Sequence, residues 1–582
     1  MKTKRRTRCP ACSQLRDPDQ IKDGMCFTCR KVSAAPTYGE KQQRLADRLR
    51  QAKDTGADTF PHIIVEARAG TGKTTTLIEG LKRIKGIGSP LTPSPQQAAV
   101  WDAMELSKGK AQTICFVAFN KSIATELQNR VPEGCDAMTM HSMGYKAVQK
   151  VFTQCKLNGY RVQDIIASIL RRDIRELRQT KAEVIKATET LVGLCKMNLV
   201  GFSENIIDVD EALSDLASYY DVDTNGHSSE IFDLTIGVLN RCKDVDRDGC
   251  IDFNDMIWLP VALDLNVYRY DLLLIDESQD LNRCQQALAK KAGRRLILCG
   301  DPKQAIYGFA GADAQSMNRL EEELSKTERG CLHLPLTVTR RCGKAIVREA
   351  QKIVPDFEAI ETNPEGKIFS MKLKGEGSYQ SAVADGDMVL CRCNAPLVSE
   401  CFRFIKKGRK ANIQGRDVGQ GLISTINKLM KSYSMATPST IEETAKEGKF
   451  FHELEYLYQQ LDTWVHEESA KERAKKNPSE QRLVNLQDRV DCILCFTEEA
   501  KTVQEVIAKI EQIFTDDKEN VGIRLSSVHK AKGLEAKRVF ILMPPEAPMP
   551  HPMAKSAWEV TQEMNLKYVA ITRAIENLVW VI

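Results

Sequence analysis

Short runs of apolar residues, each closed by small or polar residues, recur along the chain. They include Ile63–Val65, Thr113–Asn120, Leu272–Ile275 and the segments RLILCG, GKIFSM and DMVLCR. Such runs are typical of strands that are buried on both faces of a parallel sheet. Between them, the stretches 150–253 and 419–515 are polar with helical periodicity. The pattern therefore predicts an α/β protein with parallel sheets and two helical insertions.

Composition limits the classes of protein that fit this pattern. A chain of 582 residues should hold about three or four domains at ~150 residues each. The net charge of +5 is small for 161 charged side chains, so charge alone predicts no partner. The 19 cysteines are mostly scattered through apolar runs, which favours reduced thiols, and no run approaches the ~20 residues of a membrane span. We expect a soluble, unsecreted, cytoplasmic protein with no membrane partner.

The segment HIIVEARAGTGKTTTLIEG, residues 62–80, predicts a strand, a phosphate loop and a helix. Small residues let backbone N–H groups approach phosphates, and the helix N-terminus adds partial positive charge. Lys73 is expected to reach the β- and γ-phosphates and Thr74 to hold Mg²⁺. Ala67 stands at the first position of the motif, where glycine is usual. The predicted cradle for ATP comprises Ala69, Gly70, Thr71, Gly72, Lys73, Thr74 and Thr75.

Two later strands end in polar residues that suit the same chemistry. Asp276 and Glu277 follow Leu272–Ile275, where an Asp can hold Mg²⁺ and a Glu can orient the attacking water. Gln304 follows RLILCG and could sense the γ-phosphate. Beyond it, Tyr307 and Phe309 could stack on bases, with core packing as the alternative.

The strand Thr113–Asn120 and the segment AMTMHS offer candidate nucleic-acid contacts. They bring Asn120 and Lys121, and His141 and Ser142, to strand ends, where ligands gather in open α/β sheets. A hydrogen-bonded loop histidine is the alternative for His141.

The first thirty residues predict a zinc-binding module. CPAC and CFTC supply Cys9, Cys12, Cys26 and Cys29 in two pairs, which suits four thiolates around one tetrahedral Zn²⁺. Redox chemistry is the alternative. Basic residues before Cys9 could meet a nucleic-acid backbone or form a solvated tail.

Two further patterns leave alternatives open. Gln42, before the phosphate loop, is our choice for reading an adenine edge, whereas Gln96 and Gln97 lie after the loop and are set aside. The segment DVDRDGCIDFND, residues 244–255, matches much of an EF-hand calcium loop but has no second hand. It can equally be the start of a helix that returns to the nucleotide-binding domain.

The ordered set of motifs resembles the UvrD/Rep-like helicases of superfamily one. It comprises ARAGTGKT, FVAFNK, TMHS, IDESQD, GDPKQAIYGFAGA, LTVTRRC, SSVHKAKGLE and YVAITRA. The resemblance implies two RecA-like motor domains with ATP between them, moving 3′ to 5′ on single-stranded DNA. It places Arg341 and Arg573 across the cleft at the γ-phosphate, Glu535 at the nucleotide, and His529 and Lys532 between DNA and ATP. Ala310 and Arg340 depart from the common pattern.

The resemblance also divides the chain into domains. We predict a zinc module at 1–33, motor domain 1A at 34–149 and 254–335, and helical insertion 1B at 150–253. Motor domain 2A is predicted at 336–418 and 516–582, with a reduced accessory insertion 2B at 419–515.

The predicted function is an ATP-dependent DNA helicase or translocase that uses ATP, Mg²⁺ and Zn²⁺. Its expected substrates are single-stranded and tailed or forked duplex DNA, with replication or recombination proteins as candidate partners. The expected processes are DNA replication and DNA repair, in a bacterium or its virus. Two alternatives stay open: an ATP-dependent remodeller or loader of nucleoprotein, and RNA as the track, since stacking and backbone contacts separate DNA from RNA poorly.

Overall fold

The computed structural model describes most of the chain from residue 60 onward. The described ranges are 60–200, 209–220, 222–224, 226–306, 316–434, 453–474, 480–498, 500–515, 522–552, 554 and 557–582. Nearer the N-terminus it gives the backbone of four short strands, in two antiparallel pairs: Thr7–Arg8 with Leu15–Arg16, and Ile21–Lys22 with Met25–Cys26. The side chains of the four predicted zinc ligands, and Gln42, Tyr307 and Phe309, lie outside the described residues.

The first large sheet has six parallel strands. Their spatial order is Cys331–Leu336, His62–Ala67, Gly293–Gly300, Tyr270–Ile275, Ile114–Ala118 and Cys135–Thr139. Successive residues of the central strand enter opposite cores: Leu272 and Leu274 join one apolar cluster, Leu273 and Ile275 the other. This two-sided burial explains why the strands read as continuous apolar runs. The helices around the sheet are Lys73–Ile84, Pro95–Glu105, Lys121–Gln128, Met140–Val151, Asp255–Ala262, Arg283–Ala292 and Ser316–Ser325.

A helical insertion separates the fourth and fifth helices of this domain, Met140–Val151 and Asp255–Ala262. Its helices are Arg161–Leu170, Ile174–Thr180, Ala182–Asn198, Val209–Tyr219, Ser228–Cys242 and Val245–Asp248, with a parallel pair of short strands, Lys156–Leu157 and Cys250–Ile251. The calcium-like segment 244–255 lies where the insertion rejoins the first domain. Asp252 and Asp255 both contact the ammonium of Lys196, at 2.6 and 2.7 Å, and Asp255 also pairs with Arg161 at 2.6 Å. Within the described ranges, no group of three potential metal ligands could hold an ion, so the calcium alternative finds no support.

The second large sheet has seven parallel strands. Their order is Lys367–Met371, Ala574–Val581, Ala536–Leu542, Met388–Cys391, Ile523–Ser527, Ala411–Gln414 and Phe514–Thr515. Helices Lys344–Gln351, Ala395–Lys406, Val503–Ile513 and Ala557–Ile571 surround it, and two short paired strands, Val338–Thr339 and Glu358–Ala359, lie beside it. Further helices are Arg416–Leu429, Lys431–Ser434, Glu453–Arg473 and Glu480–Thr497. Two parallel-sheet domains with helical insertions confirm the predicted class, a pair of RecA-like motor domains.

The two motor domains meet at the carboxyl edge of the first sheet. The backbone N–H of Arg340 donates to the carbonyl of Gly70 at 2.9 Å. The carboxamide of Asn565 donates to the carbonyl of Ala305 at 3.1 Å. Side chains from both domains, including Ala69 and Ile346, share one apolar cluster. Separately, no helix in the described ranges is long and apolar enough to cross a bilayer.

Candidate nucleotide site between the two motor domains

The phosphate loop is shaped by two glycines with left-handed backbone. Gly70 has φ 67° and Gly72, which precedes helix Lys73–Ile84, has φ 80°. A Cβ on Gly70 would lie 2.5 Å from Cβ of Arg341 and 2.6 Å from Oγ1 of Thr339. Both conformation and space therefore require glycine at this position. The second motor domain thus touches the loop that the sequence assigns to ATP.

Lys73 and Thr74 face the two acids that follow the central strand. The ammonium of Lys73 lies 3.0 Å from Oε2 of Glu277, and the Thr74 hydroxyl donates a hydrogen bond to Asp276. They meet because strands His62–Ala67 and Tyr270–Ile275 are parallel and end at the same edge of the sheet. A hydroxyl beside a carboxylate is an oxygen donor set that suits Mg²⁺, so these residues fit the expected metal.

Burial and neighbouring charges set the protonation of this group. Burial and the adjacent Glu277 raise the pKa of Asp276 to about 6. Burial would also raise the pKa of Glu277, but Lys73 and Lys532 outweigh it and lower that pKa to about 2. Burial lowers the pKa of Lys73, yet Glu277 and Asp276 produce a net rise. The site therefore holds an ammonium against an ionised Glu277.

Arg341 and Arg573 come from the second domain and lie on the same side of the cleft. Arg341 pairs through Nε with Oε2 of Glu535 at 2.5 Å. Arg573 is buried and donates to the carbonyls of Val569 and Leu534 at 3.0 and 3.1 Å. Burial and the nearby Arg341 lower the pKa of Arg573 to about 10. Glu535, expected at the nucleotide, is the ion-pair partner of Arg341 here.

Gln304 and Lys532 connect the cleft to the neighbouring strand ends. The carboxamide of Gln304 donates to Oδ2 of Asp301 at 2.7 Å. Lys532, from the second domain, contacts Oδ2 of Asp280 at 2.5 Å and donates to the carbonyl of Gln304 at 2.9 Å. Burial and Arg392 lower the pKa of His529 to about 3, so its ring is neutral.

Four of the predicted nucleic-acid contacts, Asn120, Lys121, His141 and Ser142, lie at the ends of two adjacent strands. Asn120 caps helix Lys121–Gln128 by accepting from the N–H of Ile123 at 2.9 Å. Ser142 lies one strand over and shares a hydroxyl contact of 3.0 Å with Thr139. The local roles of these side chains are thus partly structural.

Two exposed aromatic rings that the sequence analysis did not single out lie beside these strand ends. Phe119 is 52% exposed and Phe253 is 58% exposed. The Phe253 ring lies 5.5 Å from the ring of His141. The sequence signal for Phe119 is its place directly before Asn120, in FVAFNK.

Gln97, which the sequence analysis set aside, lies beside the phosphate-loop helix. Its carboxamide donates to the hydroxyl of Thr76 at 3.0 Å and accepts from the guanidinium of Arg340 at 3.1 Å. Gln97 also forms a capping box with Ser94 at the start of helix Pro95–Glu105. The spacing of Ser94 and Gln97 was the signal in the sequence for the start of this helix. Next to it, Gln96 exchanges two hydrogen bonds with Thr337. A helix that follows the loop in sequence therefore borders the cleft.

Together, the fold and this cluster define a two-lobed nucleotide-binding protein of the phosphate-loop class. More particularly, residues 50–325 match the UvrD/REP helicase N-terminal domain. This match confirms that part of the resemblance seen in the motifs.

The chain is similar over long stretches to known DNA helicases. It is 23% identical over 539 residues to F-box DNA helicase protein 1 of Schizosaccharomyces pombe, covering 88% of this chain and 55% of the relative. It is 23% identical over 440 residues to ATP-dependent DNA helicase PcrA of Staphylococcus aureus, covering 58% of this chain and 59% of the relative. PcrA of Staphylococcus epidermidis gives 22% over 443 residues, with the same coverage. The chain thus spans a little over half the length of these relatives.

Proposed function

We propose that the protein is an ATP-dependent DNA helicase that moves 3′ to 5′ on single-stranded DNA. The observation that carries the proposal is the approach of Arg341 to the glycine of the phosphate loop. Lys73, Thr74, Asp276 and Glu277 come from one lobe and the arginine from the other, so hydrolysis would require closure of the two lobes. The polarity follows from the motif resemblance alone.

Each residue of the cleft has a specific role in this proposal. The backbone from Ala69 to Thr75 cradles the phosphates, and Lys73 neutralises their charge. Mg²⁺, held by Thr74 and Asp276, would supply further neutralisation of the phosphate oxygens. Glu277 orients the attacking water, and its low pKa keeps it ionised, so that its oxygens can accept a hydrogen bond from that water.

The remaining cleft residues act on the transferring phosphoryl group or on the nucleotide. Arg341 and Arg573 stabilise its charge, an effect of roughly 10³ to 10⁵ in rate for arginines supplied in this way. Gln304 senses the γ-phosphate, Glu535 contacts the nucleotide, and Gln42 reads the base.

DNA is proposed to bind across the strand ends that lead away from this cleft. The residues assigned to it are Asn120, Lys121, His141, Ser142, Tyr307, Phe309, His529 and Lys532. Lys532 supports coupling between the two sites, because its ammonium reaches from one motor domain to the backbone of Gln304 in the other. Contacts of lysine and arginine with phosphates should make affinity for DNA fall as salt rises.

Lys73→Ala tests the nucleotide site. We expect DNA-stimulated ATP hydrolysis to fall by roughly two orders of magnitude or more, because the transferring phosphoryl loses a preorganised charge. The matched control is Lys82→Ala, on the same helix, whose ammonium pairs with Glu79 away from the loop. Stimulated hydrolysis that survives in Lys73→Ala would contradict the proposed site.

Duplexes with a single 3′ or 5′ tail test the direction and the reaction. With ATP we expect displacement from the 3′ tail and none with a non-hydrolysable analogue. Displacement from the 5′ tail alone would reverse the polarity, and none from either would favour the remodelling alternative. Stimulation of hydrolysis by single-stranded RNA above that by DNA would assign the track to RNA.

The proposal includes one structural zinc ion, held by Cys9, Cys12, Cys26 and Cys29 and supported by their spacing. Metal analysis of the purified chain should give one zinc per molecule, and Cys9→Ser with Cys12→Ser should remove it. Cys155→Ser, at a half-buried thiol elsewhere, is the control. The cytoplasmic location and the domain boundaries given above remain predictions.

A further inference from the structure

Arg68 lies within the phosphate-loop segment and has no role in the site described so far. It follows strand His62–Ala67, and its side chain is only 6% exposed. Three carboxylates surround it, with contacts of 2.8 Å to Glu66, 3.3 Å to Asp301 and 2.6 Å to Asp356. A guanidinium buried among three acids is strongly held in place.

The three acids differ in origin. Glu66 lies on strand His62–Ala67, directly before the loop, and Asp301 follows strand Gly293–Gly300. Both acids therefore belong to the first motor domain. Asp356 lies between helix Lys344–Gln351 and strand Glu358–Ala359, beside the second sheet, and its side chain is 50% exposed. The ion pair of Arg68 with Asp356 therefore crosses between the domains.

The contact between Arg68 and Asp356 is a bidentate pair of guanidinium and carboxylate. Nε of Arg68 donates to Oδ1 of Asp356 at 3.1 Å, and Nη2 donates to Oδ2 at 2.6 Å. Paired donors on a planar guanidinium give such contacts both strength and direction. Lysine could keep the charge but not the bidentate geometry.

Neighbouring contacts extend this junction along the first turn of the loop. The N–H of Arg68 donates to the carbonyl of Leu336, the last residue of a first-sheet strand, at 2.8 Å. The N–H of Ala69 donates to the hydroxyl of Tyr568, in the second domain, at 3.1 Å. The Tyr568 ring packs edge-on against Phe357, with centroids 5.8 Å apart. Phe357 is the residue after Asp356, so one small region of the second domain holds both the side chain and the backbone of the loop.

We propose that Arg68 and Asp356 form a clasp that favours the closed arrangement of the two motor domains and so sets the affinity for ATP. The inference rests on the proposed function, in which ATP binds between closed lobes. Arg68 and Asp356 are positioning residues: they hold the loop against the second domain. When the lobes separate, Arg68 keeps its ion pairs with Glu66 and Asp301, which belong to its own domain. The charge of its guanidinium therefore stays compensated while the contact with Asp356 opens.

The clasp predicts a specific kinetic signature. If only a fraction of the molecules is in the closed, binding-competent state, the apparent affinity for the ligand is reduced in proportion to that fraction. Asp356→Asn should therefore raise KM for ATP by about three- to tenfold, a range that suits a bidentate pair with one half-exposed partner. The value of kcat at saturating ATP should stay within about twofold of the wild-type value, because excess ATP restores closure.

The test compares Asp356→Asn with Asp385→Asn in the full chain. Asp385 is a 60% exposed carboxylate of the second motor domain that pairs with Arg409 of the same domain. Asp385→Asn therefore makes the same chemical change in an ion pair that does not cross the cleft. Small-angle X-ray scattering without nucleotide should give a larger radius of gyration for Asp356→Asn than for the wild type or Asp385→Asn. Arg68→Lys should behave like Asp356→Asn, and the double variant should add little to either.

The outcomes separate the clasp from the proposed function. Identical scattering for the Asp356 and Asp385 variants would overturn the clasp, even if both hydrolyse ATP. An unchanged KM in Asp356→Asn would overturn its influence on ATP affinity. If the wild-type chain hydrolyses no ATP, the proposed function fails while scattering still decides whether the clasp holds the lobes together.

Discussion

His333 shows how one side chain can tie stability to pH. Its ring lies between two carboxylates, 3.0 Å from Oε2 of Glu66 and 2.9 Å from Oε2 of Glu321. Burial lowers its pKa, but the two acids outweigh burial and raise that pKa from 6.5 to about 9. A raised pKa stabilises the fold fully below about pH 6.5, and this stabilisation is lost as the pH rises through about 9.

His333→Gln should therefore lower thermal stability most at neutral and mildly acidic pH. We expect a loss on the order of 3 kcal/mol at pH 6, since each pKa unit corresponds to about 1.4 kcal/mol. The gap in Tm between variant and wild type should narrow between pH 6.5 and 10. Scanning calorimetry across that range checks it, with His227→Gln, a 56% exposed histidine, as the control. A gap that does not change with pH would contradict the charge assignment.

Several site residues could be predicted at this scale because their chemistry lies in local motifs. Lys73 and Thr74 follow a glycine-rich turn, and Asp276 and Glu277 follow an apolar strand, so sequence alone suggested their roles. Gln97 could not be predicted in the same way, because its contacts with Thr76 and Arg340 depend on how a later helix folds back. The ion pair of Arg68 and Asp356 joins residues 288 positions apart, and local patterns carry no information about it.

At the scale of elements, the buried charges of the helical insertion hold it to the first motor domain. Arg161 and Lys196 are each only 1% exposed, and both contact Asp255, which is fully buried at the start of helix Asp255–Ala262. Removing one partner of a buried pair leaves uncompensated charge. The network is thus a sensitive point of the fold.

Asp255→Asn should destabilise the protein by about 3–5 kcal/mol, because Arg161 and Lys196 lose a shared carboxylate in a buried site. Calorimetry should show a lower Tm for Asp255→Asn than for the wild type. Asp244→Asn, at a 54% exposed acid of the same segment, should have little effect. Added Ca²⁺ should not raise the Tm of the wild type, since lysine and arginine already occupy the acids. A marked rise in Tm with Ca²⁺ would restore the calcium alternative.

The same segment shows why the role of buried acids is harder to predict than the presence of buried strands. The spacing of its acids matches a calcium loop, but their partners Arg161 and Lys196 lie 94 and 56 residues away from Asp255 and Asp252. Buried parallel strands, in contrast, need only a run of apolar residues. The sequence therefore predicted both sheets, while the use of these acids depended on the packing of distant helices.

At the scale of the whole molecule, the insertions link the lobes at sites remote from the nucleotide. Lys471, on helix Glu453–Arg473, contacts Glu183 of the first insertion at 3.0 Å. Tyr219, at the end of helix Val209–Tyr219, stacks on Trp558 of the second motor domain, with ring centroids 5.3 Å apart. Both rings are partly exposed, so this stack can separate without opening a core.

Trp558 should report the relative movement of the lobes, because its partner Tyr219 belongs to an insertion rooted in the first domain. We expect a non-hydrolysable ATP analogue with Mg²⁺ to change the tryptophan emission of the wild type, since closing the cleft shifts one ring against the other. The chain has five tryptophans, so assignment needs variants. Trp558→Phe should abolish the change, whereas Trp464→Phe, on the second insertion, should retain it. Emission that responds equally in both variants would mean that the stack stays fixed and that the lobes move, if at all, about this contact as a pivot.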